Sequence, residues 1–258
     1  MSFGAELSPD LTGRLDAAAL ERTARPLPDL NALGATLVVA PHPDDESLGC
    51  GGTIAQLRAL GHPVHVLFVS DGTLSHPNSP SYPADRLRDL RESEARAALR
   101  ILNVPPANAH FMRQKDRHVA TADQPQFLGT VEYVVNLMEQ IQPATVLVPW
   151  RRDPHPDHRA SWQLVSAAVG RLDGPRPRVL EYLIWLWELG HEADLPRTDE
   201  VRVWRVNIAD VFDQRARAIA AHRSQVTRLI DDDPTAFYLS PELLTHFSRP
   251  RELFLESR

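Results

Sequence analysis

A shortage of cysteine is the first constraint that this 258-residue sequence sets. Cys50 is its single cysteine, so the sequence excludes an internal disulfide and a zinc site built from several cysteines. A low cysteine content fits a reducing compartment. We expect Cys50 to be a small packed side chain rather than a ligand.

Long apolar runs are lacking as well. No stretch of about 20 consecutive apolar residues occurs, so the sequence predicts no membrane-spanning helix. Residues 1–30 mix acidic, basic and proline residues, without the apolar run of roughly 7–15 residues that a signal peptide needs. We therefore expect a cytoplasmic protein.

The sequence also lacks a basic tract, and its formal net charge is −6. A mildly acidic chain of this kind is a poor candidate for binding the nucleic-acid backbone. With 43% hydrophobic and 24% charged residues, the composition is that of an ordinary globular protein. The length allows one α/β domain with a modest appendage.

Apolar strand patterns alternate with helical patterns between residues 35 and 175. The predicted strands are 35–40, 64–69, a segment near 110–112, and 145–149; the predicted helices are 46–60, 85–102, 127–141 and one from about 159. This alternation predicts an open, mostly parallel sheet with helices on both faces. Beyond about 176, strands at 182–187 and 201–208 and a helix at 212–224 predict a small C-terminal β/α extension of the same single domain, 1–258.

Two segments rich in histidine and aspartate follow predicted strands. Residues 41–46 (PHPDDE) come directly after the first strand, and residues 153–159 (DPHPDHR) lie just after the fourth. Because sites in open α/β sheets form beyond the carboxyl ends of parallel strands, we expect the two segments to meet. Either segment alone is equally well explained as a turn and a helix cap, but the pair favours a metal site.

The two segments contain the parts of a catalytic zinc site. Such a zinc takes three protein ligands and one water, and His42, Asp45 and one of His155 or His158 satisfy that count. An unbound carboxylate, either Asp44 or Asp45, can then act as general base. The second histidine can stabilise an oxyanion or protonate the leaving nitrogen.

The sequence resembles the LmbE-like de-N-acetylases, which are related to the enzyme that deacetylates N-acetylglucosaminyl-phosphatidylinositol. The resemblance runs from about residue 35 to residue 225 and rests on five segments. They are 40–46 (APHPDDE), 70–72 (SDG), 155–158 (HPDH) and, more weakly, 91–94 (RESE) and 222–225 (HRSQ). It implies a Rossmann-like fold.

The resemblance also implies a metal centre and a set of catalytic roles. Zinc would be held by His42, Asp45 and His158, with iron(II) as the alternative because this donor set suits both metals. Asp44 would be the general base. His155 would stabilise the oxyanion or act as acid, and Asp157 would orient it.

Four further residues are candidates for substrate binding. Arg91 and Glu94 either contact substrate hydroxyls or form a solvated helical ion pair. Arg151, with Arg152 and Arg159, either binds an acidic substituent or offsets nearby aspartates. His222, in the weaker C-terminal segment, is predicted to approach the site.

Glycines and tryptophans offer competing interpretations. Gly49, Gly51 and Gly52 lack the spacing of a dinucleotide-binding loop, and close helix–sheet packing explains them better. Trp185 and Trp187 alternate along a predicted strand and so share one face. That face is core, a contact in a homo-oligomer, or a sugar-stacking surface.

The sequence therefore predicts hydrolysis of an N-acetyl group from a small-molecule N-acetylglucosaminyl conjugate, releasing acetate and an amine. One rival is an amidase that acts on a larger thiol or sugar conjugate at the same metal site and releases a larger acyl fragment. The other is a metal-binding module without turnover, which has no need for the carboxylate of Asp44.

Overall fold

The structure of the protein, a computed structural model, describes residues 13–258 and contains an eight-stranded sheet within them. The strands are β1 (Arg25–Pro26), β2 (Thr36–Ala40), β3 (Val64–Ser70), β4 (Ala109–Gln114), β5 (Thr145–Pro149), β6 (Arg178–Tyr182), β7 (Val201–Asn207) and β8 (Arg251–Ser257). Residues 1–30 were predicted to contain no signal peptide. The first 12 of these residues lie outside the described residues.

Helices pack on both faces of this sheet. They are α1 (Ala17–Thr23), α2 (Asp45–Ala59), α3 (Ala84–Ile101), α4 (Phe127–Ile141), α5 (Pro156–Arg171), α6 (Leu186–Leu189), α7 (Phe212–Ala221), α8 (Arg223–Val226) and α9 (Pro241–His246). None of the described helices is both long and apolar enough to cross a membrane.

The strand order places β2 at the point where the chain reverses direction across the sheet. The order is β1-β7-β8-β6-β5-β2-β3-β4, so the chain runs outward from β2 to β4 and then returns to β5 on the other side of β2. Strands β2 to β6 are mutually parallel, and β8 runs antiparallel to both of its neighbours. The predicted α/β class, a mostly parallel sheet covered on both faces, is confirmed, and its sheet is mixed.

Two hydrophobic cores lie on opposite faces of the central strands because successive side chains point to opposite sides. On β2, Val38 and Ala40 belong to the core beneath α2, α3 and α7. Leu37 and Val39 belong to the core beneath α4 and α5. Burial on both faces explains why the strand is a continuous apolar run in the sequence.

Helix α2 lies unusually close to the sheet. A Cβ added to Gly49 would lie 2.3 Å from the ring of Tyr182, and one added to Gly52 would lie 2.6 Å from Ile208. Close packing is therefore the role of these glycines, as the sequence indicated. Cys50, in the same helix, is free and fully buried.

The C-terminal third departs from the predicted elements. Residues 182–187 were predicted as a strand, but β6 is Arg178–Tyr182 because it pairs with β5 as far as Pro149 and ends with its partner. Trp185 is then the N-cap of α6, so it does not alternate with Trp187 along a strand. The predicted helix 212–224 is divided at His222 into α7 and α8.

Strand β8 was not predicted, and it joins β6 to β7 in the sheet. The predicted extension thus continues the same sheet as the core, 35–175. The single-domain division itself stays a prediction.

Candidate active site

The two histidine- and aspartate-rich segments meet at the carboxyl ends of adjacent strands. Residues 41–44 connect β2 to α2, and residues 150–155 connect β5 to α5. Since β2 and β5 are parallel neighbours, both connections open on the same edge, beside the reversal in strand order where α/β proteins build their sites.

The three predicted metal ligands converge. Asp45 Oδ2 lies 3.2 Å from His42 Nδ1 and 3.2 Å from His158 Nε2, and all three side chains are buried. Neither ring nitrogen of His158 has a hydrogen-bond partner of acceptable geometry among the described residues. Buried nitrogens without such a partner, pointing at carboxylates, fit a cation held between them.

Two other groups of three donors overlap with this one. The ligand atoms of His42, His155 and His158 lie within 4.8 Å of one another, and so do those of His42, Asp116 and Asp157. Imidazole and carboxylate donors suit zinc and iron(II) alike. The exact ligand set stays a prediction.

The electrostatics of the cluster favour a bound cation. Burial alone would lower the pKa of both imidazoles. Nevertheless, the carboxylates of Asp116, Asp157 and Asp45 raise the pKa of His42 well above its usual value, and Asp45 and Asp153 raise the pKa of His158 to about 9. Four buried carboxylates thus surround two imidazoles, an excess of negative charge that a divalent cation would offset.

Asp44 has a strained backbone and a perturbed carboxyl. Its φ of 144° is rare for any residue other than glycine, and its N–H donates to Glu46 Oε2 at 3.0 Å. Burial raises the pKa of Asp44 to about 6, although the Arg91 guanidinium opposes the shift. Strain of this kind is concentrated at functional sites.

Arg91 is the buried partner of Asp44. Its Nη2 donates to Asp44 Oδ2 at 3.0 Å and to the Pro43 carbonyl at 2.7 Å, and its Nη1 donates to the Gly72 carbonyl at 2.8 Å. Gly72 has a φ of +63°, and a Cβ there would lie 2.5 Å from Nη1. The glycine of the SDG segment therefore leaves room for this guanidinium.

His155 caps α5 and has a defined neutral form. Its Nδ1 accepts the backbone N–H of Asp157 at 3.2 Å, so the ring proton of the neutral form lies on Nε2. Burial and the nearby His42 and His158 lower the pKa of His155 to about 3. A neutral imidazole with a protonated Nε2 is a hydrogen-bond donor.

The carboxylate of Asp157 contacts a different histidine from the one that the sequence indicated. Its Oδ2 lies 3.1 Å from His42 Nε2 and accepts the Arg117 N–H at 2.7 Å. With His155 it shares the backbone bond described above. The predicted orientation of His155 by Asp157 stays a prediction, and the observed position of this carboxylate suits orientation of His42.

The predicted substrate-binding residues are divided between the cavity and the surrounding structure. A cavity of about 410 Å³ is lined by His42, Asp44 and Asp45. Of the predicted substrate-binding residues, all of which lie within residues 13–258, Arg91 lines this cavity, whereas Glu94, Arg151 and His222 do not. Such a volume suits a small molecule.

The residues outside the lining make other contacts. Glu94 accepts from the N–H and Oγ of Ser224, so the alternative of a solvated Arg91–Glu94 pair is wrong. Arg151 pairs with Glu181. His222 Nε2 lies 2.9 Å from Glu46 Oε1, behind Asp44.

Sequence reasoning missed several residues of the cavity. Asp116 follows β4 at the same sheet edge, and the rule that sites lie at strand ends could have found it. Gln225, Phe237 and Leu239 reach the cavity from the C-terminal region. Phe237 and Leu239 lie in an irregular segment that carries no periodic signal.

Comparison with known proteins identifies the family. The family described as PIG-L, GlcNAc-PI de-N-acetylase, matches residues 37–169, just over half of the 258 residues. The chain belongs to this family. The matched residues contain both histidine- and aspartate-rich segments and end within α5.

Individual relatives of this chain are deacetylases by their names. A probable N-acetyl-alpha-D-glucosaminyl L-malate deacetylase 2 of Bacillus cereus is 27% identical over 199 residues, which cover 76% of this chain and 86% of that protein. A 1D-myo-inositol 2-acetamido-2-deoxy-alpha-D-glucopyranoside deacetylase of Gordonia bronchialis is 24% identical over 237 residues, covering 74% of this chain and 84% of that protein.

A solved structure shares the fold of this chain. The N,N'-diacetylchitobiose deacetylase of Pyrococcus horikoshii superposes with a TM-score of 0.61 at 22% identity, covering 76% of this chain and 73% of that one. At this identity the likeness concerns the fold alone.

Proposed function

We propose that this protein is a metal-dependent de-N-acetylase that hydrolyses the N-acetyl group of an N-acetylglucosaminyl conjugate. One observation carries the proposal: the buried, strained Asp44 opens on the same cavity as His42 and Asp45, two members of the cluster. The relatives named above, deacetylases of N-acetylglucosaminyl compounds by their names, support the substrate class.

The metal that we propose is zinc, held by His42, Asp45 and His158. When bound there, zinc would lower the pKa of water and polarise the acetamide carbonyl. The three side chains supply the usual count of protein ligands for a catalytic site and leave room for water and substrate. Iron(II) is the alternative metal.

Asp44 is proposed as the general base. Its pKa of about 6 means that it is ionised at neutral pH and close enough to neutrality to accept a proton. It takes a proton from the attacking water and returns it to the leaving nitrogen, so that acetate and a free amine result. Arg91 fixes the carboxylate through the 3.0 Å contact.

His155 is proposed to stabilise the oxyanion. Because its Nδ1 accepts the Asp157 N–H, its Nε2–H is a donor, and His155 lines the cavity. Its low pKa favours hydrogen bonding over proton transfer. This geometry supports the oxyanion role over the acid role.

The experiment measures acetate release from N-acetylglucosaminyl conjugates by metal-stripped protein, with and without added zinc. We expect release to return with zinc, to be lost in Asp44→Ala with zinc still bound, and to be lost in His158→Ala together with the zinc. Zinc content is measured separately by metal analysis. Undiminished release from Asp44→Ala contradicts the proposal.

The products separate this proposal from its rivals. Release of a larger acyl fragment in place of acetate indicates an amidase. One tightly bound zinc per chain without hydrolysis of any amide tested indicates a binding module.

A further inference from the structure

Six apolar side chains line the cavity together with the residues of the metal cluster. This set, here called the apolar wall, comes from the segment after β3, from the β6–α6 turn and α6, and from the segment before α9. It consists of Leu74, Ile184, Trp185, Leu189, Phe237 and Leu239. All but Leu74 lie beyond residues 37–169, which match the family.

Aromatic rings of the apolar wall adjoin the proposed oxyanion donor, His155. The ring of Trp185 stacks near that of His155, with centroids 6.3 Å apart, and meets the ring of Phe237 at 5.6 Å. Aromatic side chains provide large apolar contact areas with few rotatable bonds. A flat group next to the acetamide-bearing sugar would therefore find rings on which to stack.

Backbone hydrogen bonds hold the apolar wall against the site. The N–H of Trp185 donates to Asp153 Oδ2 at 3.1 Å. The N–H groups of Phe237 and Leu239 donate to the carbonyls of Ser75 and Gln225 at 2.7 and 2.9 Å. The rings thus belong to a wall that the chain itself fixes in position.

The three arginines that the sequence indicated for an acidic substituent make other contacts. Arg151 pairs with Glu181, Arg152 pairs with Glu200, and Arg159 donates to the carbonyls of Asp153 and Pro154. Within residues 13–258 the arginines that line the cavity are Arg91, held by Asp44, and Arg117, which is exposed at the rim.

We propose that the group attached to the sugar of the natural substrate is uncharged and aromatic, and that the apolar wall binds it. This inference rests on the proposed function. It assigns the aglycone class on which that proposal is silent, and it differs from the anionic malate in the name of the Bacillus cereus relative.

The test compares kcat/KM for acetate release by the zinc-loaded protein on three substrates. They are N-acetylglucosamine, its phenyl glycosides (both anomers) and its malyl conjugate. We expect the better phenyl glycoside to exceed the malyl conjugate by about tenfold or more, the discrimination that one buried apolar group gives.

Variants of the apolar wall then locate the preference. Trp185→Ala should reduce the phenyl-to-malyl ratio about tenfold, as loss of a stacking surface worth that factor predicts. Leu189→Asp is a second variant at a 53% exposed position that tolerates change, and it should reduce phenyl turnover. The control is Trp187→Ala, since Trp187 stacks on His246 outside the lining, and it should preserve the ratio.

The outcomes separate the two proposals. A malyl preference, or a ratio that Trp185→Ala and Leu189→Asp leave unchanged, overturns the aromatic aglycone while deacetylation stands. A malyl preference lost in Arg117→Ala would assign the site to an anionic aglycone instead. Absence of acetate release from all three substrates, with zinc bound, refutes deacetylation and this inference with it.

Discussion

Replacing Gly49 by alanine tests the close approach of α2 to the sheet. The added Cβ would lie 2.3, 2.8 and 2.9 Å from three ring carbons of Tyr182. That ring is fully buried, and its hydroxyl donates to the Val39 carbonyl at 2.8 Å. The ring therefore has no free direction in which to move, so the helix itself must shift.

The magnitude follows from two opposing effects. Alanine in place of glycine favours a helix interior by about 1 kcal/mol. Inserting a methyl group into a packed core costs about 1–3 kcal/mol, and an overlap this severe belongs at the upper end. We expect a net loss of about 2 kcal/mol, or roughly 4–8 °C in Tm for a chain of this size.

The assay is denaturant and thermal unfolding, with Gly129→Ala as the matched control. Gly129 lies in α4 with nothing within 4 Å of its added Cβ, so the same substitution should stabilise the protein there by about 0.5–1 kcal/mol. The two variants should thus change stability in opposite directions. A Gly49→Ala protein as stable as the wild type would refute the packing argument.

Three further predictions concern charge and metal. Arg91→Met leaves the buried Asp44 carboxylate without its ion-pair partner and should cost about 3–5 kcal/mol of unfolding free energy. A loss below about 1 kcal/mol in denaturant titration argues against the pairing. Burial lowers the pKa of His65 and His110 in the folded protein. As the pH falls, these histidines are therefore protonated in the unfolded chain before they are protonated in the folded protein, and the free energy of unfolding should decrease below about pH 6.5. In a double variant, His65→Gln with His110→Gln, the free energy of unfolding should depend less on pH between pH 7.5 and 5.5. An unchanged pH dependence would show that these two histidines do not cause it. Chelation should lower Tm by roughly 5–10 °C if zinc is present at about 100 times its Kd, whereas His158→Ala should show no such shift.

The sequence predicted the site because its two key segments follow apolar strands directly. The run at 35–40 and the run at 145–149 are buried on both faces, so their pattern is unambiguous, and the sheet rule brings their ends together. The proximity of these two segments can therefore be predicted from the sequence alone.

Other parts of the site depend on contacts that no local pattern records. The end of β6 at Tyr182 is set by the length of its partner β5, and the turn at Trp185 is held by Asp153 from a distant segment. Glu94 bonds to Ser224, 130 residues away. The helical spacing of Arg91 and Glu94 suggested that they pair with each other, but each side chain contacts residues from other elements instead.

The division of roles between two adjacent aspartates is a consequence of local backbone geometry. Asp45 begins α2, and its carboxylate turns toward His42 and His158, which hold its pKa far below the usual range against the effect of burial. Asp44, one residue earlier, has a φ of 144°, its carboxyl contacts Arg91, and burial raises its pKa to about 6. Neighbouring carboxyls with pKa values displaced in opposite directions are what a site with one permanent anion and one proton acceptor requires. The strained residue, held by Arg91 at 3.0 Å, is thus the one that we propose as base.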